Sequence, residues 1–259
     1  MTILDTIIAE KRKFVEECKK NISPDSLENT SLFRRNTISL KNRLLQPGSS
    51  GIIAEFKRQS PSKGIINNKV EPEIITRAYQ EAGVAAVSIL TDQPFFGGNP
   101  EDIIKSRNNL FVPILRKDFI VDEYQIIEAR AMGADLILLI AAVLNKEEIR
   151  NFAHLARSLG METLFEVHDQ VELDKLCPEV TLVGVNNRNL KTFEVNIQQS
   201  IELAKNIPGE FLKVSESGIE QVETIRMLRE EGFHAFLIGE NFMKTANPGL
   251  ACHNFIREL

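Results

Sequence analysis

The sequence predicts an α/β fold, a (β/α)8 (TIM) barrel preceded by a helical N-terminal extension. The chain has 259 residues, and a barrel of this kind uses about 250. After Gly51, eight short apolar runs recur at intervals of 19 to 35 residues. The stretches between them have the apolar period of amphipathic helices. The runs are continuous rather than alternating, which is typical of parallel strands that are buried on both faces.

The first fifty residues predict helices. Residues 1–20 have one apolar stripe at helical spacing, with Thr2 as the N-cap and Asp5 in the first turn. Residues 21–30 are polar and contain a proline, so they predict a connection. Residues 31–45 predict a second short helix, which ends at the Gln-Pro-Gly-Ser-Ser-Gly breaker of residues 46–51.

The barrel elements follow in regular order. The eight strands are predicted to start near Gly51, Ala86, Val112, Asp135, Glu162, Thr181, Phe211 and Ala235. The clearest helices are predicted over residues 72–82, 123–132, 146–159 and 222–231. Glycines stand where the C-caps of such helices belong, namely Gly83, Gly133, Gly160 and Gly232.

A doubly wound open sheet is the competing architecture. It typically has fewer strands and a glycine-rich first turn that binds a dinucleotide. The first predicted strand is instead followed by Lys57-Arg58-Gln59-Ser60-Pro61, which contains no such motif. We therefore expect one barrel domain over residues 1–259, of which residues 1–50 are the extension.

Composition excludes several classes of function. The formal net charge is −5, which argues against a general nucleic-acid binder. The longest apolar run has nine residues, too few for the ~18 of a membrane span, and the N-terminus does not have the form of a signal peptide. Three distant cysteines and four scattered histidines predict no disulfide and no metal site. We expect a cytoplasmic protein.

Charged side chains follow the apolar runs. In a barrel these positions converge at the carboxyl ends of the strands, where the chemistry takes place. Each one alone could be part of a solvated rim, but six of them on five strands predict an acid–base site: Glu55, Lys57, Lys117, Glu166, Arg188 and Glu216. Phe96 and Phe119 are candidate walls for a flat ligand, unless they merely pack beneath a loop.

Two segments predict a phosphate site. Ser217-Gly218-Ile219 follows the seventh strand, and Gly239-Glu240-Asn241 follows the eighth. These are the loops that hold phosphate in many barrels, through backbone N–H groups. Glu240 disfavours an anion, so its side chain is expected to point away. The competing interpretation is two tight turns without a ligand.

Longer motifs make the sequence specific. Residues 53–62 (Ile-Ala-Glu-Phe-Lys-Arg-Gln-Ser-Pro-Ser) resemble the signature segment of the indole-3-glycerol phosphate synthase family. The same resemblance covers residues 115–120, 165–168, 184–190, 215–219 and 236–240. It implies a (β/α)8 barrel with extra N-terminal helices. It also implies conversion of 1-(2-carboxyphenylamino)-1-deoxyribulose 5-phosphate to indole-3-glycerol phosphate, CO2 and water in tryptophan biosynthesis, without a cofactor.

The resemblance also implies roles for individual residues. Lys117 matches the general acid and Glu166 its catalytic partner. Further catalytic positions are matched by Glu55, Lys57, Asn186, Arg188, Glu216 and Ser217. Substrate and phosphate contacts are implied for Ser60, Phe96, Phe119, Leu138, Gly218, Gly239, Glu240 and Asn241. Asn241 departs from the family pattern, since many relatives have a small residue there.

Three other functions remain open at this stage. A ribose-phosphate isomerase barrel would share the phosphate site but typically uses an Asp or Cys pair. A Schiff-base aldolase would use Lys117 as a nucleophile. A non-catalytic phosphate-binding barrel would not need the acid–base positions. The expected partner is a small phosphorylated substrate, with no nucleic acid and no membrane. The resemblance implies a monomer, with a weak homodimer as the alternative.

Overall fold

The computed structural model describes residues 2–189 and 194–259. Eight parallel strands close into a barrel, which confirms the predicted fold class. They are β1 (Ile52–Phe56), β4 (Ala86–Leu90), β5 (Ile114–Lys117), β6 (Leu136–Ile140), β7 (Glu162–Val167), β8 (Leu182–Asn186), β9 (Leu212–Glu216) and β10 (Ala235–Ile238). A small antiparallel hairpin, β2 (Gln59–Ser60) and β3 (Gly64–Ile65), interrupts the loop after β1. Each barrel strand starts within two residues of its predicted position.

The ring runs β1-β4-β5-β6-β7-β8-β9-β10 and closes where β10 pairs with β1. The register sets the height of each strand end. Lys117 pairs with Leu90 of β4, and Glu166 pairs with Ile140 of β6. The last residues of several strands therefore reach one level at the carboxyl edge of the barrel.

Thirteen helices occur in the described residues. They are α1 (Ile3–Asn21), α2 (Pro24–Glu28), α3 (Leu40–Leu44), α4 (Pro72–Glu81), α5 (Gln93–Phe96), α6 (Pro100–Arg107), α7 (Glu123–Met132), α8 (Lys146–Ser158), α9 (Gln170–Leu173), α10 (Ile197–Ala204), α11 (Val222–Glu230), α12 (Glu240–Met243) and α13 (Pro248–Arg257). The four predicted helix-ending glycines all have positive φ. Thr2 caps α1 as predicted, and the side chain of Asp5 bonds back to the Thr2 backbone to complete a capping box.

Two predictions for the extension were wrong. The connection over residues 21–30 contains the short helix α2, which Ser23 caps and Pro24 starts. Of the helix predicted over residues 31–45, only α3 forms, and residues 31–39 are turns and irregular chain. The physical reason is tertiary, because the carboxylate of Glu162 accepts bonds from the backbone N–H groups of Leu40 and Lys41 and fixes where α3 starts.

The extension runs along the barrel from one end to the other. At the end where the strands begin, Leu40 and Leu44 of α3 pack on the barrel interior. Along the side, Val15 of α1 packs against Tyr124 of α7. The first turns of α1 reach the carboxyl end, where Ile3, Leu4 and Ile7 line the mouth of the barrel. The extension therefore supplies one wall of the site described next.

Candidate active site

A cavity of about 460 Å³ opens at the carboxyl end of the strands. All sixteen residues predicted from the sequence line it: Glu55, Lys57, Ser60, Phe96, Lys117, Phe119, Leu138, Glu166, Asn186, Arg188, Glu216, Ser217, Gly218, Gly239, Glu240 and Asn241. The fold therefore brings these residues together in one cavity, and their assignment as site residues stays a prediction. The closed ring explains the convergence, because every strand end of a barrel faces the same bowl.

Lys117 lies at the centre of the charged groups. Its Nζ is 3.4 Å from Oε2 of Glu166 and 3.6 Å from Oε2 of Glu216. Burial alone would lower the pKa of Lys117, but the negative charge of Glu166, with a smaller contribution from Glu55, outweighs it and raises the pKa above its ordinary value. Lys117 is therefore protonated at neutral pH.

The two carboxyl groups around Lys117 differ in charge. Burial and the negative charge of Glu166 raise the pKa of Glu216 to about 8, so Glu216 holds a proton at neutral pH. Burial would also raise the pKa of Glu166, but the charges of Lys117 and His168 lower it below its ordinary value. A side-chain hydrogen bond from Asn186 adds to this effect. The centre thus pairs one ammonium with one carboxylate and keeps a neutral acid beside them.

Two glycines make room for the carboxyl groups. A Cβ on Gly184 would collide with Oε1 of Glu216. A Cβ on Gly239 would lie 2.5 Å from Oε1 of Glu55. Glu55 in turn forms an ion pair of 2.7 Å with Lys57. Gly184 is a site residue that the sequence reasoning missed, although it stands inside one of the quoted motifs.

The loops after β9 and β10 lie together at the predicted phosphate end. Ser217 has φ +69°, the one positive φ outside glycine among the described residues, and Gly218 follows with φ +70°. Asn187, another missed residue, donates a 2.7 Å hydrogen bond to the Ser217 carbonyl and supports this conformation. The side chain of Asn241 donates to the Glu220 carbonyl at 3.1 Å and so joins the two loops.

Glu240 does not lie alone at this end. Its Oε1 is 3.6 Å from Nζ of Lys63, in the loop of the small hairpin. The sequence reasoning missed Lys63, because nothing in the pattern shows that the loop after β1 folds back toward the loop after β10. The lysine partly offsets the carboxylate that would otherwise disfavour an anion here.

An aromatic wall, formed by Phe96 and Phe119, lies across the cavity from the predicted phosphate end. The rings of Phe96 and Phe119 have centroids 6.0 Å apart and are tilted by 42°. Phe119 follows β5 and Ser217 follows β9, and these strands are four positions apart in the ring of eight. The cavity therefore has an aromatic side, a charged centre and a polar side.

A buried lysine of the extension supports the aromatic wall. Nζ of Lys11 is 2.9 Å from Asp92, which caps α5, and 2.8 Å from Asp118. Asp118 stands between Lys117 and Phe119 in the chain. The sequence reasoning missed this cluster, since its members are separated by 81 and 107 residues.

No helix of the described residues is long and apolar enough to cross a membrane. Within the same residues, no group of three or more His, Cys, Asp or Glu side chains is arranged to hold a metal ion. Leu190, which the motif of residues 184–190 includes, lies outside the described residues.

Comparison with known proteins agrees with this geometry. A model of the indole-3-glycerol phosphate synthase family matches residues 4–259. The chain belongs to the indole-3-glycerol phosphate synthase family. An indole-3-glycerol phosphate synthase of Bacteroides thetaiotaomicron is 46% identical over 257 residues, which are 99% of this chain and 98% of that protein. One of Neisseria gonorrhoeae is 47% identical over 216 residues, 83% of this chain and 81% of that protein.

Membership of the indole-3-glycerol phosphate synthase family confirms the predicted class of enzyme, a carboxy-lyase of tryptophan biosynthesis. Among solved structures, a mutant tryptophan synthase alpha-subunit from the hyperthermophile Pyrococcus furiosus aligns with a TM-score of 0.62. The alignment covers 82% of this chain and 98% of that chain at 16% identity. At that identity it shows a shared fold and carries no argument about activity.

Proposed function

We propose that the cavity binds 1-(2-carboxyphenylamino)-1-deoxyribulose 5-phosphate and closes its indole ring by acid–base catalysis with no cofactor. The observation that carries this proposal is the protonated Lys117, held between Glu166 and Glu216 in the middle of the cavity. The aromatic wall lies on one side of it and the paired loops lie on the other.

The substrate has three parts, and each suits one region. The anthranilate ring lies against Phe96 and Phe119, because a flat apolar group gains from aromatic contact. The phosphate lies at Ser217–Gly218 and at the start of α12, where glycines allow close approach to the backbone. The ketone between them then lies at Lys117. This placement spans the cavity from its apolar to its polar side.

Ring closure needs an activated carbonyl group. The ring carbon that bears the carboxylate attacks the ketone carbon, and Lys117 donates a proton to the oxygen that becomes a hydroxyl. The positive charge of Lys117 also stabilises the negative charge that develops on that oxygen. Glu166 holds the ammonium in place, and Asn186 holds Glu166.

The later steps need a second acid and a base. Loss of CO2 returns its bonding electron pair to the ring and restores aromaticity. The new hydroxyl then leaves as water after taking up a proton, and a proton leaves the neighbouring carbon to form the indole double bond. From the carboxylate substrate, the whole reaction consumes one proton. We assign the dehydration to the Glu55–Lys57 pair, which lies 2.7 Å apart at the same rim, and substrate positioning to Arg188.

The charge state of Lys117 argues against a Schiff-base aldolase. A lysine that forms an imine needs a neutral amine, which usually means a lowered pKa. Here the carboxylates around Lys117 raise its pKa instead, against the effect of burial. Borohydride reduction in the presence of substrate checks this point, because it would label Lys117 covalently if an imine formed.

The decisive experiment follows indole-3-glycerol phosphate by fluorescence, in the presence of EDTA and without added metal. We expect the wild-type chain to be active. Lys117→Ala should lose about 10²- to 10⁴-fold in kcat, the usual contribution of a positioned acid, and Glu166→Gln should be severely impaired with little change in substrate binding. The exposed Lys205→Ala is the matched control and should be unaffected. Undiminished turnover in Lys117→Ala would refute the mechanism.

The assembly and location are also proposals. One chain supplies all sixteen site residues, which supports a single-domain monomer as the active unit, and light scattering coupled to gel filtration would distinguish it from a homodimer. The three cysteines are unpaired, and unpaired thiols fit a reducing cytoplasm.

A further inference from the structure

His168 lies directly behind the catalytic centre and outside the residues that line the cavity. It follows β7, two residues after Glu166, and only 14% of its side chain is exposed. Its Nε2 is 3.7 Å from Oε1 of Glu166. The other oxygen of that carboxylate, Oε2, faces Lys117 at 3.4 Å. Each oxygen of Glu166 therefore has one nitrogen group near it.

A second carboxylate fixes the orientation of the imidazole. Nδ1 of His168 is 3.1 Å from Oε2 of Glu172, and the backbone N–H of His168 donates to the same oxygen at 2.7 Å. Glu172 is itself anchored, because its backbone N–H bonds the side chain of Asp169 at the start of α9. Since Glu172 accepts at Nδ1, that nitrogen carries a proton, and Nε2 is the ring nitrogen turned toward Glu166.

The stability of the fold does not explain the position of Nε2 of His168. It is buried and has no hydrogen-bond partner, and a buried polar atom without a partner costs free energy. The groups that face the imidazole are all acidic: Glu166 on its own strand, Glu172 on α9 and Glu216 on β9. Burial would lower the pKa of His168, but the hydrogen bond to Glu172 and the negative charge of Glu166 outweigh it and raise the pKa. A charged imidazole with its free N–H toward Glu166 satisfies both observations.

We propose that His168 is a positioning residue for the catalytic carboxylate: Glu172 orients the imidazole so that its Nε2–H points toward Oε1 of Glu166, 3.7 Å away, and this electrostatic contact keeps Oε2 facing Lys117. The inference rests on the proposed function, because it assigns a partner to Glu166, which the proposed reaction uses. His168 itself lies outside the residues that line the cavity. Its effect is on the geometry and the ionisation of Glu166. In other active sites a carboxylate likewise orients an imidazole, and the imidazole in turn acts on a third group.

Two substitutions separate positioning from simple structural support. Asn places its amide nitrogen near the place of Nδ1, so His168→Asn keeps the contact to Glu172 and removes the group that faces Glu166. Gln reaches further and places its amide nitrogen near Nε2, so His168→Gln restores an uncharged donor to Glu166. If His168 served only to hold α9 in place, His168→Asn would behave as wild type.

The assay measures kcat and KM from pH 5 to pH 9 together with the thermal unfolding midpoint. We expect His168→Asn to lose on the order of 10- to 100-fold in kcat, the cost of a misplaced reacting group, with KM changed less than about two-fold. Without the positive charge beside it, Glu166 has a higher pKa. The acidic limb of the kcat profile should therefore move to higher pH, and His168→Gln should recover part of kcat.

The outcomes distinguish this inference from the proposed function. A wild-type kcat and pH profile in His168→Asn, while Glu166→Gln is inactive, overturns the role of His168 alone. An inactive wild-type chain, or a fully active Glu166→Gln, overturns the proposed function. If His168→Asn does not fold, Glu172→Gln serves instead, because it leaves the imidazole in place and weakens only its orientation. An unshifted profile in that variant also refutes the proposal.

Discussion

Replacing Lys11 by Met tests whether the N-terminal extension supports the active site through a buried charge. Met keeps the length and the apolar stem of the side chain and removes the ammonium. The change leaves Asp92 and Asp118 buried, at 1% and 3% exposure. Asp118 keeps Arg116 at 3.2 Å and Thr91 at 2.6 Å. Asp92 loses its ion-pair partner and keeps only the backbone N–H of Phe95.

The expected loss of stability follows from these contacts. Removing one partner of a buried ion pair costs about 3–5 kcal/mol, because the other charge is left without compensation. Only Asp92 is left without an ion-pair partner here, so we expect a loss of stability at the lower end of this range, about 3 kcal/mol. A chain of 259 residues unfolds with an entropy of roughly 0.5 kcal/mol per kelvin. The unfolding midpoint should therefore fall by about 6 °C.

The assay is thermal unfolding followed by circular dichroism, with steady-state kinetics on the same samples. Lys13→Met is the matched control, since Lys13 lies on the same helix and is exposed. Lys11→Met/Asp92→Asn should recover part of the lost stability, because it removes the stranded charge. KM should rise in Lys11→Met, since Asp92 and Asp118 anchor the loops of Phe96 and Phe119.

One result would refute this reasoning. If Lys11→Met unfolds within about 1 °C of Lys13→Met and keeps its KM, the ion pairs at 2.9 and 2.8 Å contribute nothing net. The extension would then be held by its apolar contacts alone.

Two further predictions concern Glu216. Its folded-state pKa of about 8 lies above the ordinary value of 4.5. Between these two values the folded chain therefore binds a proton that the unfolded chain has released. The free energy of unfolding consequently falls as pH rises from about 5 to about 8. In urea unfolding, the stability of Glu216→Gln relative to wild type should therefore increase from pH 6 to pH 8.5. The control Glu210→Gln, at an exposed position, should show no such increase. If the stability of Glu216→Gln and that of wild type depend on pH in the same way, the raised pKa of Glu216 is contradicted. Gly184→Ala should lose about 1–3 kcal/mol through overpacking and most of its turnover, because the new Cβ would collide with Oε1 of Glu216 and displace that carboxyl group. Gly209→Ala, with open space around it, is the control, and equal activity in the two alanine variants would disprove the displacement.

Periodicity predicted the barrel well because a parallel strand buried on both faces must be apolar at every position. The starts of all eight strands follow from that local rule, and the four glycine caps follow from a second one, the left-handed conformation that ends a helix. The short helix α3 does not. Ser39 caps its start locally, but its first N–H groups also bond Glu162, more than a hundred residues away, and a contact of that kind leaves no period in the sequence.

The same division runs through the candidate site. Lys117 and Glu166 could be found from the sequence, since each lies at the end of an apolar run and barrel topology brings such positions together. Lys63 and Lys11 could not be found, because they reach the site from a hairpin loop and from the extension. The sequence shows His168 only as one position of a family motif. Its proposed role depends on which of its ring nitrogens faces Glu166, which only the structure shows.

The sequence alone determined the family, the closed parallel barrel and the types of side chain at its carboxyl edge, because those depend on local pattern and on chain order. Only the tertiary structure decided which of those groups are charged. Glu166 and Glu216 are the same residue type at equivalent strand ends, yet Lys117 and His168 keep the first ionised while burial beside that charge keeps the second protonated. Ionisation in a buried site depends on distances between strands, and those distances exist only once the ring has closed.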